Sequence, residues 1–269
     1  MAEPLDSPDE VQQVDRGDSA LVFDGVSHAF GNVRVLQSID LAVERGSFVA
    51  LVGPSGCGKT TLLNLAAGLA QPSAGTVYYR GDRVVAPNTR AGYLTQDDAL
   101  LPWRDVLGNV ALPLEIKGMK RADRFARARE MIRKVGLAQF EHHRPAQLSG
   151  GMRKRVSLAR TLIYQPETLL LDEPFAALDA QTRVLMQKQL LDLCAQLQLT
   201  VLLVTHDIAE AIALADRIVL LSARPARLVD ILDVPHAKQR NIFAREPGNE
   251  ELNARIWEHL AAQADSAGL

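Results

Sequence analysis

The sequence is poor in cysteine and aromatic residues, carries little net charge and has no long apolar run. Its two cysteines, Cys57 and Cys194, lie far apart among 269 residues, so we predict neither a disulfide framework nor a cysteine zinc site, and a reducing cytosolic setting fits best. A formal net charge of −2 excludes the strongly basic balance of a nucleic-acid binder, and we expect no nucleic-acid partner.

The first ten residues, MAEPLDSPDE, are acidic and lack the apolar core of a signal peptide. No uninterrupted apolar run approaches the roughly 18 residues that cross a bilayer. Any membrane contact is therefore expected to come through another protein.

A large apolar fraction is present, arranged in alternating strand and helix patterns. The hydrophobic content of 47% is sufficient for one large α/β domain with a buried core. Residues 1–18 show no periodicity and are predicted to be a disordered tail. From Ala20 onward, strand-like runs alternate with helical periodicity, which predicts a mostly parallel sheet. The segment of about residues 97–165 is mostly helical in pattern and is interpreted as an insertion.

Two further helices are predicted after this insertion. The first covers about residues 181–198, and its 3.6-residue spacing predicts one core face. That face comprises Met186, Leu190, Leu193, Cys194 and Leu197. The second covers about residues 250–263 near the end of the chain.

A glycine-rich segment between an apolar strand and an apolar helix fits the pattern G-x-x-x-x-G-K-[ST]. Glycines there let backbone N–H groups surround phosphate oxygens, and the following helix directs its positive end at them. Lys59 is expected to reach the β- and γ-phosphates of ATP, and the Thr60 hydroxyl to bind Mg²⁺. The predicted nucleotide contacts are Gly53, Pro54, Ser55, Gly56, Cys57, Gly58, Lys59, Thr60 and Thr61.

Two more apolar strands end in residues that suit phosphate chemistry. TLLLDEP places Asp172 and Glu173 at a strand end, and TVLLVTHD does the same for His206. Ligands gather at the carboxyl ends of strands in an open parallel sheet. We therefore predict Asp172 as a metal ligand and Glu173 as the group that activates water. His206 is predicted to donate a hydrogen bond to the γ-phosphate and to sense its loss.

A second anion-binding helix start is predicted at LSGGM. Ser149, Gly150 and Gly151 offer a hydroxyl, free N–H groups and a helix dipole. One chain would then carry two phosphate-recognising helix starts but one water-activating Glu173. A two-fold dimer reconciles these numbers if each LSGGM completes the phosphate site of the other copy.

The order of these motifs resembles that of the nucleotide-binding subunits of ABC transporters. P-loop, Gln96, LSGGM, LLLDEP, AALD and His206 follow one another within about residues 20–225, and the ordered set is far more specific than any single motif. The resemblance implies a P-loop NTPase core with an N-terminal antiparallel β part and a helical insertion. It also implies an ABC ATPase domain over residues 19–225 and a short C-terminal extension over residues 226–269.

The resemblance assigns roles to further residues. It implies that Gln96 links the γ-phosphate and Mg²⁺ to the insertion, so that Gln96 joins Glu173, His206 and Lys59 as catalytic residues. It implies that the Ser-Gly-Gly residues bind the ATP of the opposite subunit and that Asp179 lines the dimer interface.

Two positions depart from the commoner family residues. Phe30 stands where the family stacks an aromatic ring, more often Tyr, on adenine, so the stacking carries over without a hydroxyl contact. Met152 stands where Gln is usual in the signature, which leaves the Ser-Gly-Gly contacts unaffected.

Finer resemblance is to the importers of nitrate, sulfonates and taurine, with thiamine-precursor pyrimidines as a neighbouring branch. It is carried by DDALLPWRDVLGNV, LSGGMRKR, THDIAEAIALADRIVLLS and ARIWEHL. It implies a homodimeric ATPase that energises solute import through an integral membrane permease, with a solute-binding protein acting through that permease. The chain would then lie peripherally on the cytoplasmic face of the inner membrane. The sequence does not name the solute.

Two other functions are weighed against this one. A soluble ABC ATPase of DNA maintenance or translation is the alternative, but the long coiled coils of the former and the tandem ATPase domains of the latter are not found. A nucleotide-binding scaffold without turnover is disfavoured by Glu173 and His206.

Two local expectations concern single residues. Cys57 lies beside Lys59 and a helix N-terminus, both of which favour the thiolate and predict a reactive thiol. Leu100, Leu101, Pro102 and Trp103 form an apolar cluster that is either core or, as the resemblance implies, a groove for a permease helix.

Overall fold

The computed structural model describes residues 18–176, 178–235 and 249–266, with side chains up to residue 261. The predicted disordered tail lies almost wholly outside these described residues. Two sheets and seven α-helices make up the described part of the chain. Within it, no helix is both long enough and apolar enough to span a membrane.

The larger sheet has six strands in the order β10-β9-β3-β8-β7-β6. Its four inner pairings are parallel and the edge pairing of β10 with β9 is antiparallel. Every residue of β3, β7 and β8 is buried, as continuous apolar runs predict for strands covered on both faces. The strands are β3 (Phe48–Val52), β6 (Ala91–Leu94), β7 (Thr168–Asp172), β8 (Thr200–Val204), β9 (Arg217–Leu221) and β10 (Leu228–Asp233).

The smaller sheet is antiparallel, with strand order β2-β1-β4-β5. Its first two strands form a long hairpin, and Gly31 supplies the positive φ of 56° that the tight turn requires. Its strands are β1 (Ser19–Phe30), β2 (Val33–Glu44), β4 (Ala74–Tyr79) and β5 (Asp82–Arg83). The implied combination of a parallel core and an N-terminal antiparallel part is confirmed.

Three α-helices lie between β6 and β7: α2 (Val106–Ile116), α3 (Arg121–Lys134) and α4 (Gly150–Leu162). Asp105 caps α2 by accepting a hydrogen bond from Gly108 N at 2.7 Å. The helices pack on one another, and α4 also packs against β6. This helical unit is thereby attached to the edge strand of the parallel sheet.

The described residues contain four other α-helices: α1 (Lys59–Ala66), α5 (Ala180–Leu197), α6 (Ile208–Leu214) and α7 (Asn249–Ser266). The predicted core face of α5 is correct for Met186, Leu190, Leu193 and Cys194, which are all buried. It is wrong for Leu197, which is 41% exposed. Leu197 is the last residue of α5, and the chain leaves the helix through Gln198 in the left-handed conformation, so no element covers it.

Candidate functional site

Four parallel strands end at one edge of the large sheet, and each is followed by a predicted site segment. β3 leads into the P-loop, β6 into Gln96, β7 ends at Asp172 before Glu173, and β8 precedes His206. Because β6, β7, β8 and β3 are neighbours in that order, their carboxyl ends meet side by side. The topology therefore brings these segments to one edge.

The P-loop curls tightly between β3 and α1. Gly58 has a φ of 122°, and a Cβ there would lie 2.7 Å from Val35 Cγ1, so a side chain is excluded on two grounds. Lys59 is only 6% exposed, and its Nζ donates to Gly53 O at 2.7 Å and to Pro54 O at 2.9 Å. The ammonium is thus held within the loop. No side chain caps the N-terminus of α1, which leaves its first N–H groups for an anion.

The structure overturns the expectation of a reactive Cys57. Its side chain is 1% exposed and packs in the core beneath the hairpin of β1 and β2. Burial raises the pKa of the thiol, and the opposing effect of Lys59 is smaller. Cys57 therefore lines the loop as an apolar residue and remains a thiol.

Thr60 and Asp172 face one another across the site. Thr60 Oγ1 donates to Asp172 Oδ1 at 3.1 Å. Burial raises the pKa of Asp172, partly offset by the hydrogen bond from Thr60. A hydroxyl and a carboxylate are oxygen ligands suited to Mg²⁺, which takes its remaining ligands from phosphate and water. In the described residues no cluster of three or more His, Cys, Asp or Glu offers a protein-only metal site.

Glu173 and His206 are in contact. Glu173 Oε1 lies 3.2 Å from His206 Nδ1. Glu173 has a φ of 45°, unusual for a residue with a side chain, and its N–H donates to Val204 O on β8 at 3.0 Å. Such a backbone conformation persists only when the surroundings impose it and is commonest at functional sites. It turns the chain sharply after β7 and places the carboxylate beside the histidine.

Gln96 lies two residues beyond the end of β6, with an exposed side chain. Its backbone, by contrast, is held: the carbonyl oxygen accepts a hydrogen bond from Lys154 Nζ on α4. The helical unit therefore holds the backbone of Gln96, while the side-chain amide of Gln96 lies in solvent.

The signature residues form the start of α4. Ser149 is exposed and caps the helix by accepting from Met152 N at 3.3 Å. Gly151 is buried, and a Cβ there would lie 2.7 Å from Thr182 Cγ2 on α5, so this close approach requires glycine. Asp179 caps α5 by accepting from Thr182 N at 2.9 Å, and this bond lowers its pKa. Two capped helix starts thus lie together at one surface.

Phe30 ends β1 and is 59% exposed. Its ring meets that of His28 edge-on, with centroids 4.7 Å apart. An exposed aromatic face of this kind suits stacking on a base.

Arg224 was not predicted from the sequence to touch the site. It follows β9, and its Nη2 and Nε donate to Gly56 O in the P-loop at 2.6 and 3.2 Å. The neighbouring Ala226 exchanges backbone hydrogen bonds with Val35 and Gln37 of β2, which holds the segment in place. No motif marks this arginine, because tertiary pairing alone brings it to the loop.

Comparison with known proteins places this geometry in a family. The profile of the ABC transporter family matches residues 36–176, just over half of the chain. An uncharacterized ABC transporter ATP-binding protein of Methanocaldococcus jannaschii is 44% identical over 88% of this chain and 90% of its own length. The taurine import ATP-binding protein TauB of Sinorhizobium fredii is 48% identical over 80% of each chain.

Two further relatives extend the comparison. The aliphatic sulfonates import ATP-binding protein SsuB of Burkholderia thailandensis is 46% identical over 94% of this chain and 72% of its own. A dimeric ATP-binding cassette solved in a post-hydrolysis state with ADP and phosphate is 31% identical. It superposes with a TM-score of 0.71, covering 80% of this chain and 98% of its own. The chain therefore belongs to the ABC transporter family, as one of its ATP-binding cassettes.

Proposed function

We propose that this chain hydrolyses ATP as the nucleotide-binding subunit of an importer for a small sulfonate or related anion. The observation that carries the catalytic part is the contact of Glu173 with His206, 3.2 Å apart, at the sheet edge that also holds Lys59 and the Thr60–Asp172 pair. A carboxylate and an imidazole at that edge favour turnover over nucleotide binding alone.

Each side chain has a defined task in this proposal. The P-loop N–H groups and Lys59 bind the β- and γ-phosphates, and Phe30 stacks on the adenine. Thr60 and Asp172, with Gln96 from the neighbouring strand end, would hold Mg²⁺, which would neutralise charge on the phosphate oxygens. Glu173 orients a water molecule and accepts its proton as the water oxygen attacks the γ-phosphorus.

The products of this attack are ADP and inorganic phosphate. The Nδ1 atom of His206 lies beside the Glu173 carboxylate, and His206 donates one hydrogen bond to the γ-phosphate. The left-handed backbone at Glu173 supports this assignment, because it directs the carboxylate to the imidazole.

The catalytic site is completed, in our proposal, by a second copy of the chain. Ser149, Gly150 and Gly151 bind the γ-phosphate in the partner's P-loop, and Asp179 lies at the interface. Support comes from the exposed Ser149 that caps α4 and from the relative that was solved as a dimer with ADP and phosphate. Hydrolysis would then separate the two copies by removing the bridging phosphate.

We assign the surface around Trp103 as the site that contacts the membrane permease. Trp103 is 69% exposed, so the core interpretation is not favoured for it, whereas Leu100 is partly buried against the core. Buried Asn109 holds the turn beneath it by donating to Leu101 O and Arg104 O and accepting from Leu101 N. A rigid turn that presents an exposed aromatic is what an interface anchor needs.

The transport direction and solute class rest on the relatives named for taurine and sulfonate import. They favour the importer, a translocase on the cytoplasmic face of the inner membrane, over the soluble ABC ATPase. A solute-binding protein would deliver the sulfonate to the permease. We assign Mg²⁺ as the metal of the site formed by Thr60 and Asp172.

The test is turnover by Glu173→Gln compared with the parent protein. The variant keeps the size of the side chain but removes the proton acceptor, so hydrolysis should fall by roughly 10²-fold or more. ATP affinity should change little, whereas Lys59→Ala should weaken binding itself. Hydrolysis within threefold of the parent rate in Glu173→Gln would refute the catalytic assignment.

A further inference from the structure

Four side chains on one face of α4 bind residues 95–99, the loop that contains Gln96: three bind its backbone carbonyls and one binds the Asp98 carboxylate. We call Arg153, Lys154, Ser157 and Arg160 the α4 clamp. Their spacing places them along one side of the helix, facing the loop that follows β6. The signature residue Ser149 caps the same helix, so one rigid element touches both the loop and the signature.

Lys154 is the buried centre of this clamp, at 5% exposure. Its Nζ donates to Gln96 O and, at 3.2 Å, to Thr95 O, and lies 3.4 Å from Asp98 Oδ1. The ammonium thereby donates two hydrogen bonds and forms one ion pair, in which Asp98 Oδ1 accepts no hydrogen bond among the described residues. A buried lysine is costly unless its charge is satisfied in this way.

The other three members hold the far end of the loop. Ser157 Oγ and Arg160 Nη2 donate to Asp98 O at 3.0 and 2.9 Å, and Arg160 Nη1 donates to Ala99 O at 2.7 Å. Arg153 bridges the Asp98 carboxylate, at 3.2 Å, and Leu148 O, at 2.9 Å. Through Arg153 the clamp therefore also contacts Leu148, the residue before Ser149.

Lys154 differs from its neighbours in what it holds. Ser157 and Arg160 bind residues 98 and 99, whereas Lys154 binds the carbonyls of Thr95 and Gln96, next to β6. Lys154 also lines an apolar cavity together with Leu158 and Phe175. Loss of Lys154 would free the Gln96 end of the loop while its far end stays attached.

We infer that Lys154 is a positioning residue that holds Gln96 in register with the signature helix α4. This inference rests on the proposed function, because Gln96 matters only if ATP is bound at that sheet edge. A displacement of Gln96 when the γ-phosphate leaves is then transmitted through Lys154 to the start of α4. Because the start of α4 contacts the partner's nucleotide in the proposed dimer, the displacement also affects that nucleotide. The side chain of Lys154 does not need to touch ATP for this role.

The experiment compares Lys154→Met, which keeps the stem and removes the three donors, with Lys154→Gln, which keeps an amide donor. Lys134→Met is the matched control, because Lys134 is a solvent-exposed lysine on α3 paired with Glu130. All are made in the full-length protein, and their unfolding transitions are compared with that of the parent.

The first readout needs no turnover. An aspartate-specific endoprotease is used in the absence of nucleotide, and mass spectrometry follows the cut before Asp97. In Lys154→Met this cut should be faster by about tenfold or more, because local opening controls cleavage. The cut before exposed Asp82, the first residue of β5, should be unchanged and serves as an internal reference.

The second readout separates turnover from binding. Lys154→Met should lower the rate of ATP hydrolysis by about tenfold or more, as expected for a misplaced active-site group. Its affinity for ATP in the absence of Mg²⁺ should stay within about threefold of the parent, because the P-loop is untouched. Lys154→Gln, which keeps an amide donor in place of the ammonium, should lower turnover less than Lys154→Met does, and Lys134→Met should not lower it.

Unchanged cleavage before Asp97 together with unchanged turnover in Lys154→Met would overturn the inference. If that variant does not fold, Lys154→Gln decides: a folded variant with a faster cut and slower turnover supports the role. Unfolding of both variants would show that Lys154 is structural and overturn it. Absence of hydrolysis in the parent protein would refute the proposed function instead, and the proteolysis result would still test the clamp.

Discussion

Glu210, on α6 below the His206 loop, offers a quantitative test through pH. Its side chain is 5% exposed, and Oε1 is buried without a hydrogen-bond partner among the described residues. Burial, reinforced by the charge of Asp207, raises the pKa of this carboxyl from 4.5 to about 8, although Arg183 opposes the shift. The folded protein therefore retains a proton that the unfolded chain releases.

The sign of the pH effect follows from this difference. Between pH 4.5 and pH 8 the folded state binds more protons than the unfolded state, so stability falls as pH rises through that window. Each pH unit changes the free energy of unfolding by about 1.4 kcal/mol. From pH 4.5 to pH 7 the loss from Glu210 reaches about 3 kcal/mol.

Glu210→Gln removes the titrating group while keeping its shape. Urea unfolding followed by circular dichroism at pH 5, 6, 7 and 8 should give nearly equal free energies for the two proteins at pH 5. The variant should be more stable by about 3 kcal/mol at pH 7, with the gap still growing toward pH 8. Glu130→Gln, at an exposed position on α3, should follow the parent at every pH. Parallel profiles for Glu210→Gln and the parent would refute the reasoning.

Two other predictions concern the surface and the thiols. Trp103→Ala should leave ATP hydrolysis by the isolated subunit unchanged. It should weaken the free energy of permease binding by roughly 2 kcal/mol, the cost of losing a central interface aromatic. Normal uptake by a folded variant would exclude this surface as the permease contact. Cys57 and Cys194 are both buried with pKa values raised by burial. A bulky maleimide should therefore label neither within minutes in the folded protein and both in urea, and rapid labelling of Cys57 in the folded protein would contradict its position.

The sequence was most informative where function depends on local order along the chain. The P-loop and the pairs that end β7 and β8 are recognisable because a buried strand, a strand end and a turn follow each other within ten residues. Parallel pairing then brings the strand ends together without any further information. The implied fold class follows from the same alternation of strands and helices.

What the sequence did not reveal depends on contacts between distant segments. The expected reactivity of Cys57 was inferred only from its neighbours in the loop. Its thiol is buried because the hairpin of β1 and β2 packs over it. Arg224 reaches Gly56 across 168 positions of sequence. Lys154 is one of three consecutive cations after Met152, and only its acceptors on the loop beyond β6 distinguish it from the other two. Such contacts depend on how distant segments pack together, and they produce no periodic pattern in the sequence.

The central claim, that two copies share each ATP through the signature residues, is tested most directly by the mass of Glu173→Gln in solution. In this variant the γ-phosphate should be retained and, in the proposed dimer, should bridge Lys59 of one copy and Ser149 of the other. Light scattering should give a dimer with MgATP and a monomer with MgADP, and Ser149→Arg introduced into Glu173→Gln should remain monomeric with both. A monomer with MgATP under conditions where ATP is bound would contradict the account.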